Sequence, residues 1–251
     1  MTQAPTFNAV AYSRLEICNP VSPATLDRVL AQAELRPGDT AIDLGCGTGF
    51  VARRLATRLG LEVFAVERDP AMAALAERTF AEGCAPGGAR VLAGEAAEVL
   101  EGLEPVRLML VLGATDAAEP GLRDLTETLR RLAAHVAPGG WLLWGDAFWR
   151  RAPSAALKAA VEATNSYLDF PGVVAAGEAA GLALSHAAES PPDDHEHMMA
   201  AMTGAIDDWV AAHPEAPEAA GFRRRMDAIR GAWLAEAREA LGFGLWLFRK
   251  G

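Results

Sequence analysis

The chain has 251 residues, of which 51% are hydrophobic and 22% charged, and its formal net charge is −10. This length suits one large domain that buries roughly 70–75% of the surface of its unfolded chain. The negative charge argues against nucleic acid as a partner, because no net positive field attracts a phosphate backbone. Since no uninterrupted apolar run approaches about 18 residues, we also expect no segment that spans a membrane.

The three cysteines, Cys18, Cys46 and Cys84, are an odd number and lack the CxxC spacing. This usage disfavours a disulfide framework or a zinc site and favours a reducing compartment. The N-terminal segment MTQAPTFNAVAYSRLE has no basic start followed by an apolar core, so it is not typical of a signal peptide. We therefore expect a cytoplasmic protein that holds no metal. The expected assembly is a monomer or homodimer.

Helical and strand patterns alternate along the first 150 residues. A helix is predicted from Ser22 to Leu35, because Ser22 can cap it and Pro23 suits its first turn. The buried strand AIDL follows, and then a helix after Gly49 that Gly60 ends. Next come the strand LEVFAVE, a helix opened by Pro70, the strands ARVLAG and VRLMLVLGA, a helix near Leu122–Val136, an APGG turn and the strand WLLWGDAF.

The pattern changes near Arg150. From there to about residue 216 the chain is helical and rich in turns, and LALSHAAES is its one strand-like segment. A long helix is predicted near Pro217–Leu241, followed by a closing strand, GFGLWLFRK, in the main sheet. Strands that are apolar on both faces and alternate with helices indicate an α/β fold whose mostly parallel sheet is covered on both sides.

The segment AIDLGCGTGF joins a buried strand to a helix through three glycines. Glycine lets a backbone pass close to a ligand and adopt positive φ at little cost. The spacing is G-C-G-T-G, which differs from the G-x-G-x-x-G of a dinucleotide site. Asp43 precedes the glycines, and Glu67 ends the next strand, about 20 residues further on. At this distance a carboxylate typically accepts hydrogen bonds from the hydroxyls of a ribose. The alternative for Glu67 is a surface carboxylate after a strand.

The segments DLGCGTG and VERD resemble the class I S-adenosylmethionine-dependent methyltransferases, over roughly Thr40 to Gly145. The resemblance implies a Rossmann-like, doubly wound, mostly parallel seven-stranded sheet, with S-adenosylmethionine as cofactor and S-adenosylhomocysteine as product. It also implies that Asp43 and the glycines hold the methionine part, Glu67 the ribose, and Glu95 the adenine side. The expected cofactor contacts are Asp43, Gly45, Cys46, Gly47, Gly49, Glu67, Arg68, Glu95, Ala96 and Gly113.

The resemblance extends to a bacterial subgroup associated with small-molecule acceptors, through the segments NPVSPATLDRVL, LGATDA, WGDAFWR and AREALGFGLWLFRK. That subgroup more often has His in place of Asp116 and Glu in place of Asp146, so the substrate or the proton-handling group is expected to differ here. The predicted organisation is a single domain. Its parts are an N-terminal helical cover (about 1–35), a cofactor-binding core (36–149), a mostly helical acceptor-side cap or lid (150–239) and a last strand (240–251).

The predicted function is methyl transfer to a small molecule, for which positioning alone can supply about 7–11 kcal/mol of the barrier. Residues above the carboxyl ends of the strands are the candidates for the acceptor side. Asp116 and Asp146 are predicted as substrate ligands or bases, and each is also explained as a turn or strand-end residue. The other predicted acceptor-pocket residues are Tyr12, Asn19, Phe148, Trp149 and His195.

The segment PPDDHEHMMAAM concentrates acidic and histidine residues but lacks the H-E-x-x-H pattern of a zinc site. We interpret it as an acidic helix start capped by Asp193 or Asp194, with His195 or His197 at a lid edge as the alternative. Two other functions stay open. One is a relative that binds the cofactor without transferring methyl, as a partner subunit or by another use of the sulfonium. The other is a nicotinamide oxidoreductase, which the glycine spacing disfavours.

Overall fold

A sheet of seven strands forms the centre of the computed structural model, which describes residues 4–84, 88–114, 116–163 and 165–251. The strands are β1 (Thr40–Leu44), β2 (Glu62–Glu67), β3 (Ala89–Ala93), β4 (Val106–Leu112), β5 (Val136–Trp149), β6 (Leu182–Glu189) and β7 (Leu241–Lys250). Their order is β3-β2-β1-β4-β5-β7-β6, and β7 runs antiparallel to both of its neighbours. The predicted α/β class, with a mostly parallel seven-stranded sheet, is confirmed.

Helices cover both faces of this sheet. They are α1 (Phe7–Ala11), α2 (Pro23–Leu30), α3 (Phe50–Leu59), α4 (Pro70–Ala81), α5 (Ala96–Glu101), α6 (Leu125–Ala134), α7 (Ala155–Glu162), α8 (Phe170–Ala179), α9 (Pro192–Ala212), α10 (Ala219–Ala232) and α11 (Arg238–Ala240). Side chains of α2, α3 and α4 pack on one face, and those of α5, α6 and α8 on the other. Strand β4 contributes fully buried residues to both cores, at about 1.5–3 kcal/mol for each large apolar side chain.

Local signals fix where most helices begin. Ser22 accepts a hydrogen bond from the Thr25 backbone N, and Asp124 accepts one from the Glu127 backbone N, so α2 and α6 start directly after these caps. Both helices are shorter than predicted: α2 ends at Leu30 in a turn, and α6 begins at Leu125. The predicted APGG turn is instead an irregular part of β5, where the register with β4 shifts.

A separate helical layer is built from α1, α9 and α10, which we call the cap helices. They enclose an apolar core of their own, formed by Phe7, Val10, Ala11, Leu15, Met199, Met202, Ile206, Phe222, Met226, Trp233 and Ala237. The predicted long helix near Pro217–Leu241 consists of α10, a π-helical turn at Trp233–Ala237 and α11. The segment 150–239 therefore supplies cap helices and also α8 and β6, which belong to the layers of the main sheet.

The start of α9 differs from the prediction. Asp193 and Asp194 lie in its first turn, but the N-cap position is Pro191, and no side chain caps this helix end. Asp194 instead accepts a hydrogen bond from the Ser22 backbone N at 2.8 Å, which joins the first turn of α9 to the start of α2. Within the described ranges, no helix has the length and apolar character needed to cross a membrane.

Candidate functional site

A cleft of about 240 Å³ lies where β1, β2, β3 and β4 end. The predicted residues that line it are Tyr12, Asn19, Gly45, Gly47, Glu67, Arg68, Glu95, Ala96, Gly113 and Asp116. Other lining residues were missed from the sequence, among them Asn8, Cys18, Asp69 and Met72. Of these, Asp69 carries a readable signal, because an Asp directly before Pro at a helix start is a typical N-cap.

Two glycines of the loop after β1 are needed for different reasons. Gly47 has φ of +58°, and a Cβ at this position would lie 2.9 Å from the Cys18 Sγ atom. Gly49 has φ of +77° and does not line the cleft; a Cβ there would lie 2.8 Å from the Cβ of Ala76 in α4. Gly47 thus leaves room at the cleft, whereas Gly49 allows α3 and α4 to pack closely.

Glu67 is held in place by two backbone N–H groups. Its Oε2 accepts from the Gly47 N and its Oε1 from the Asp69 N, each at 2.9 Å. The residue is 9% exposed, and burial raises the pKa of its carboxyl while the backbone hydrogen bonds oppose the rise. Because each carboxylate oxygen can accept a further hydrogen bond, Glu67 can receive the two hydroxyls of a ribose.

Asp43 lies behind the glycine loop and is 2% exposed. Its Oδ2 has no hydrogen-bond partner among the described residues, and burial, together with the charge of Glu67, raises the pKa of its carboxyl to about 7. A small cavity of about 20 Å³, also lined by Cys18 and Cys46, adjoins it. This unpaired acceptor fits an ammonium group at the methionine end of the expected cofactor, directly or through a water molecule.

Cys46 is a packed residue of the loop rather than a reactive thiol. It is 8% exposed, and burial raises the pKa of its thiol far above the usual range, with further contributions from Asp43 and Glu67. A nucleophilic cysteine needs the opposite shift.

Arg68 connects two carboxylates across the mouth of the cleft. Its Nη1 lies 2.9 Å from the Asp116 Oδ2 and 3.7 Å from the Glu95 Oε2, and all three side chains are about half exposed. Asp116 therefore lies beside Glu95, at the side of the cleft expected for the adenine. Its carboxylate is engaged by the guanidinium, which differs from the arrangement predicted for a substrate ligand or base.

The Asp116→Asn variant is accordingly expected to weaken S-adenosylhomocysteine binding by no more than about 1 kcal/mol, because exposed ion pairs contribute little. The loss should shrink in about 1 M salt, which screens such pairs. Calorimetric titrations at low and high salt measure both effects. Glu98→Gln, which removes a nearby exposed charge outside this ion pair, is the matched control. A large, salt-independent loss for Asp116→Asn would show that its carboxylate contacts the ligand.

The N-terminal segment is fastened over the cleft by hydrogen bonds. The Thr6 hydroxyl donates to the Asp69 Oδ2 at 2.8 Å, and the Asn19 Nδ2 donates to the Leu112 carbonyl at 3.0 Å. The same Asp69 caps α4, and its backbone N donates to Glu67. Helix α1 is therefore linked through one aspartate to the residue expected to bind the ribose. Residues 1–3 of the predicted N-terminal cover lie outside the described residues.

Thr6→Val should lower the free energy of unfolding by about 1–2 kcal/mol, because it removes both the donor to Asp69 and the N-cap of α1. Thr6→Ser keeps both hydrogen bonds and should restore most of the stability. Urea unfolding of the two variants and the wild-type protein measures the difference. Equal stability of all three proteins would mean that this contact does not hold α1 in place.

The remaining predicted acceptor residues do not line the cleft. Asp146, at the end of β5, is 7% exposed and lines a second cavity together with Tyr167. Phe148 is a core residue, 3% exposed, with its ring edge-to-face against Phe170 and Trp246. Trp149 packs against the ring of Tyr167, with 6.0 Å between ring centroids. Phe148 therefore packs on the sheet face, because β5 turns alternate side chains into the core.

His195 also lies outside the cleft, in the first turn of α9. It is 5% exposed and stacks on Trp233, with 5.3 Å between ring centroids. Burial, with a smaller contribution from Arg150, lowers the pKa of its imidazole to about 4, so the ring is neutral at physiological pH. This placement is that of a packing residue. Within the described residues, no group of three His, Cys, Asp or Glu side chains is arranged to hold a metal.

The fold and the matched domain define the class of protein. Residues 41–140 match the family described as Methyltransferase domain, and they span the strands and loops that form the cleft. The matched domain and the fold are those of class I S-adenosylmethionine-dependent methyltransferases.

Individual proteins resemble the chain over its whole length. It is 26% identical over 248 residues to protein YjhP of Escherichia coli (strain K12), covering 96% of this chain and 97% of that protein. The structure matches a methyltransferase from Geobacter sulfurreducens, crystallised with S-adenosylhomocysteine, with a TM-score of 0.85 and 24% identity over the whole of both chains. A methyltransferase from Thiobacillus denitrificans, also crystallised with S-adenosylhomocysteine, matches with a TM-score of 0.84 and 25% identity over the whole of both chains.

Proposed function

We propose that this protein transfers a methyl group from S-adenosylmethionine to a small-molecule acceptor. The observation that carries the proposal is the buried carboxylate of Glu67, fixed by the Gly47 and Asp69 backbone N–H groups at the end of β2. When bound, S-adenosylmethionine supplies a methyl group activated by its positive sulfur. Asp43 and the glycine loop hold its methionine part, Glu67 holds its ribose, and Arg68 and Glu95 border its adenine.

Two features favour a small acceptor. The net charge of −10 disfavours a phosphate backbone as partner. The N-terminal segment and the cap helices lie on the cleft side, since Asn8 and Tyr12 line the cleft while α1 packs in the core of the cap helices. This cover restricts access for large substrates. We propose that the segment 150–239 forms the acceptor side. We also propose that the protein is a monomer or homodimer and that it is located in the cytoplasm. Cofactor binding without methyl transfer is the alternative.

The proposal is tested with S-adenosylmethionine that carries a ¹³C-labelled methyl group. The protein is incubated with a bacterial extract separated into low-molecular-mass, protein and RNA fractions. Label is expected in the low-molecular-mass fraction, together with released S-adenosylhomocysteine, and Glu67→Ala should abolish both signals. Label in RNA or protein instead would contradict the small-molecule acceptor. Binding of the cofactor with no label in any fraction would favour the alternative.

A further inference from the structure

A second, polar cavity lies beside the end of β5. It is enclosed by β5, α6, α8 and the segment before α8, and it is lined by Arg123, Leu125, Thr128, Trp144, Asp146, Ala147, Asn165, Ser166, Tyr167, Leu168 and Val173. Its volume of about 30 Å³ gives room for about two groups of the size of a water molecule. Neither the family match nor the predicted cofactor set assigns it a role.

Two buried polar groups of this cavity have hydrogen-bonding capacity to spare. Within the described residues, the Asp146 carboxylate has one hydrogen bond, from the Ala147 backbone N to its Oδ1 at 2.7 Å. The indole Nε1–H of Trp144, whose side chain is 2% exposed, has no partner there. Burying a carboxylate without a counter-charge is costly, and burial raises the pKa of Asp146 to about 7. The uncompensated carboxylate of Asp146 therefore suits a polar ligand, and Trp144, which also lines the cavity, can report on its binding.

The cavity and the cofactor cleft lie at the ends of two paired strands, β5 and β4. Gly113, which lines the cleft, donates its backbone N–H to the carbonyl of Gly145 at 2.7 Å, and Asp146 is the next residue. Tyr167 lines the cavity, and burial chiefly, then the charges of Asp146 and Tyr12, raise the pKa of its phenol. A group bound at Asp146 is thus next to the strand end where the cofactor is expected.

The charges of the cavity favour a cation. Asp146 supplies a buried acidic group whose ionised form a bound cation stabilises, whereas the guanidinium of Arg123 is exposed and donates to the backbone carbonyls of Glu162 and Ala163. We propose that the cavity is the acceptor subsite and that Asp146 binds a protonated amine of the acceptor. This inference rests on the proposed function, and it adds the chemical class of the acceptor.

The test uses methylammonium as the probe, because its two heavy atoms suit the volume of the cavity. Protein with ¹⁵N-labelled tryptophan is saturated with S-adenosylhomocysteine and titrated with methylammonium, with methanol as the neutral control and acetate as the anionic control. The indole N–H signal of Trp144, assigned with Trp144→Phe, reports binding. Methylammonium alone should shift this signal, and Asp146→Asn should weaken the effect about tenfold or more while S-adenosylhomocysteine still binds.

Each other result overturns the inference. A shift of equal size with methanol or acetate, no shift with any probe, or an undiminished shift in a folded Asp146→Asn protein would each contradict an ammonium subsite. If the variant does not fold, the selectivity of the wild-type protein among the three probes decides. Failure of the wild-type protein to bind S-adenosylhomocysteine would contradict the proposed function, whereas binding without selectivity would contradict the subsite alone.

Discussion

Replacement of Glu67 by alanine is expected to weaken S-adenosylhomocysteine binding by about 100-fold or more. In the proposed site this carboxylate accepts from both ribose hydroxyls, and hydrogen bonds to a charged group contribute about 1.5–3 kcal/mol each. The loss of two such bonds, about 3–6 kcal/mol, exceeds what any other single side chain at the cleft is expected to contribute. Calorimetric titration measures the affinity directly.

Two controls separate the loss of ligand contacts from a loss of structure. Glu67→Gln keeps one acceptor oxygen and should lie between the wild-type protein and Glu67→Ala in affinity. Glu62→Ala removes an exposed carboxylate from the start of the same strand and should leave the affinity unchanged. Glu67 also accepts hydrogen bonds from the Gly47 and Asp69 backbone N–H groups, so its replacement can lower stability. Urea unfolding of each variant should therefore accompany its titration. A folded Glu67→Ala protein with wild-type affinity would show that the ribose lies elsewhere.

Asp146→Asn should make the ligand-free protein more stable at high pH and leave its stability almost unchanged at low pH. Burial raises the pKa of Asp146 from 3.8 to about 7 in the folded state, so the unfolded chain releases this proton first as the pH rises. The folded state therefore loses stability through the window between these pKa values. The full shift corresponds to about 4 kcal/mol, which is an upper bound for the gain at about pH 8.

Urea unfolding at a series of pH values tests this expectation. The curves of Asp146→Asn and the wild-type protein should converge near pH 4, below which the carboxyl is protonated in both states. Asp193→Asn removes an exposed carboxylate from the first turn of α9 and serves as the control, with no comparable gain. If the free energies of unfolding of Asp146→Asn and the wild-type protein differed by the same amount at all pH values, the pKa of Asp146 would be the same in the folded and unfolded states.

The parts of the fold that local chemistry determines were predicted well. Gly49 and Gly60 frame α3, and Pro70 starts α4, because positive φ and the preference of Pro for the first helical turn depend on residues close in sequence. The alternation of apolar strands with helices also predicted the sheet, because hydrophobic periodicity can be read from residues that are close in sequence. Helix ends and the start of α9 were less well predicted, since Asp194 bonds to the distant Ser22 rather than to its own helix.

The candidate site also contains residues whose positions follow from the sequence pattern and others whose contacts depend on the tertiary fold. Gly45 and Gly47 follow β1, and Glu67 ends the neighbouring parallel strand β2, so their meeting at one edge of the sheet is a consequence of topology. The ion pair of Arg68 with Asp116, and the packing of His195 on Trp233, join residues far apart in sequence. Tyr167 lies in the irregular segment before α8, where no sequence pattern marks it, and only the folded chain brings it beside Asp146.

The central claim, that the cleft is a site for a sulfonium nucleoside, is tested most directly by calorimetric titration of the wild-type protein. Separate titrations with S-adenosylmethionine, S-adenosylhomocysteine and NAD compare the ligands that the glycine spacing distinguishes. The account predicts saturable binding of both sulfur ligands and none of NAD. Binding of NAD in preference to them, or no binding of either sulfur ligand, would contradict it.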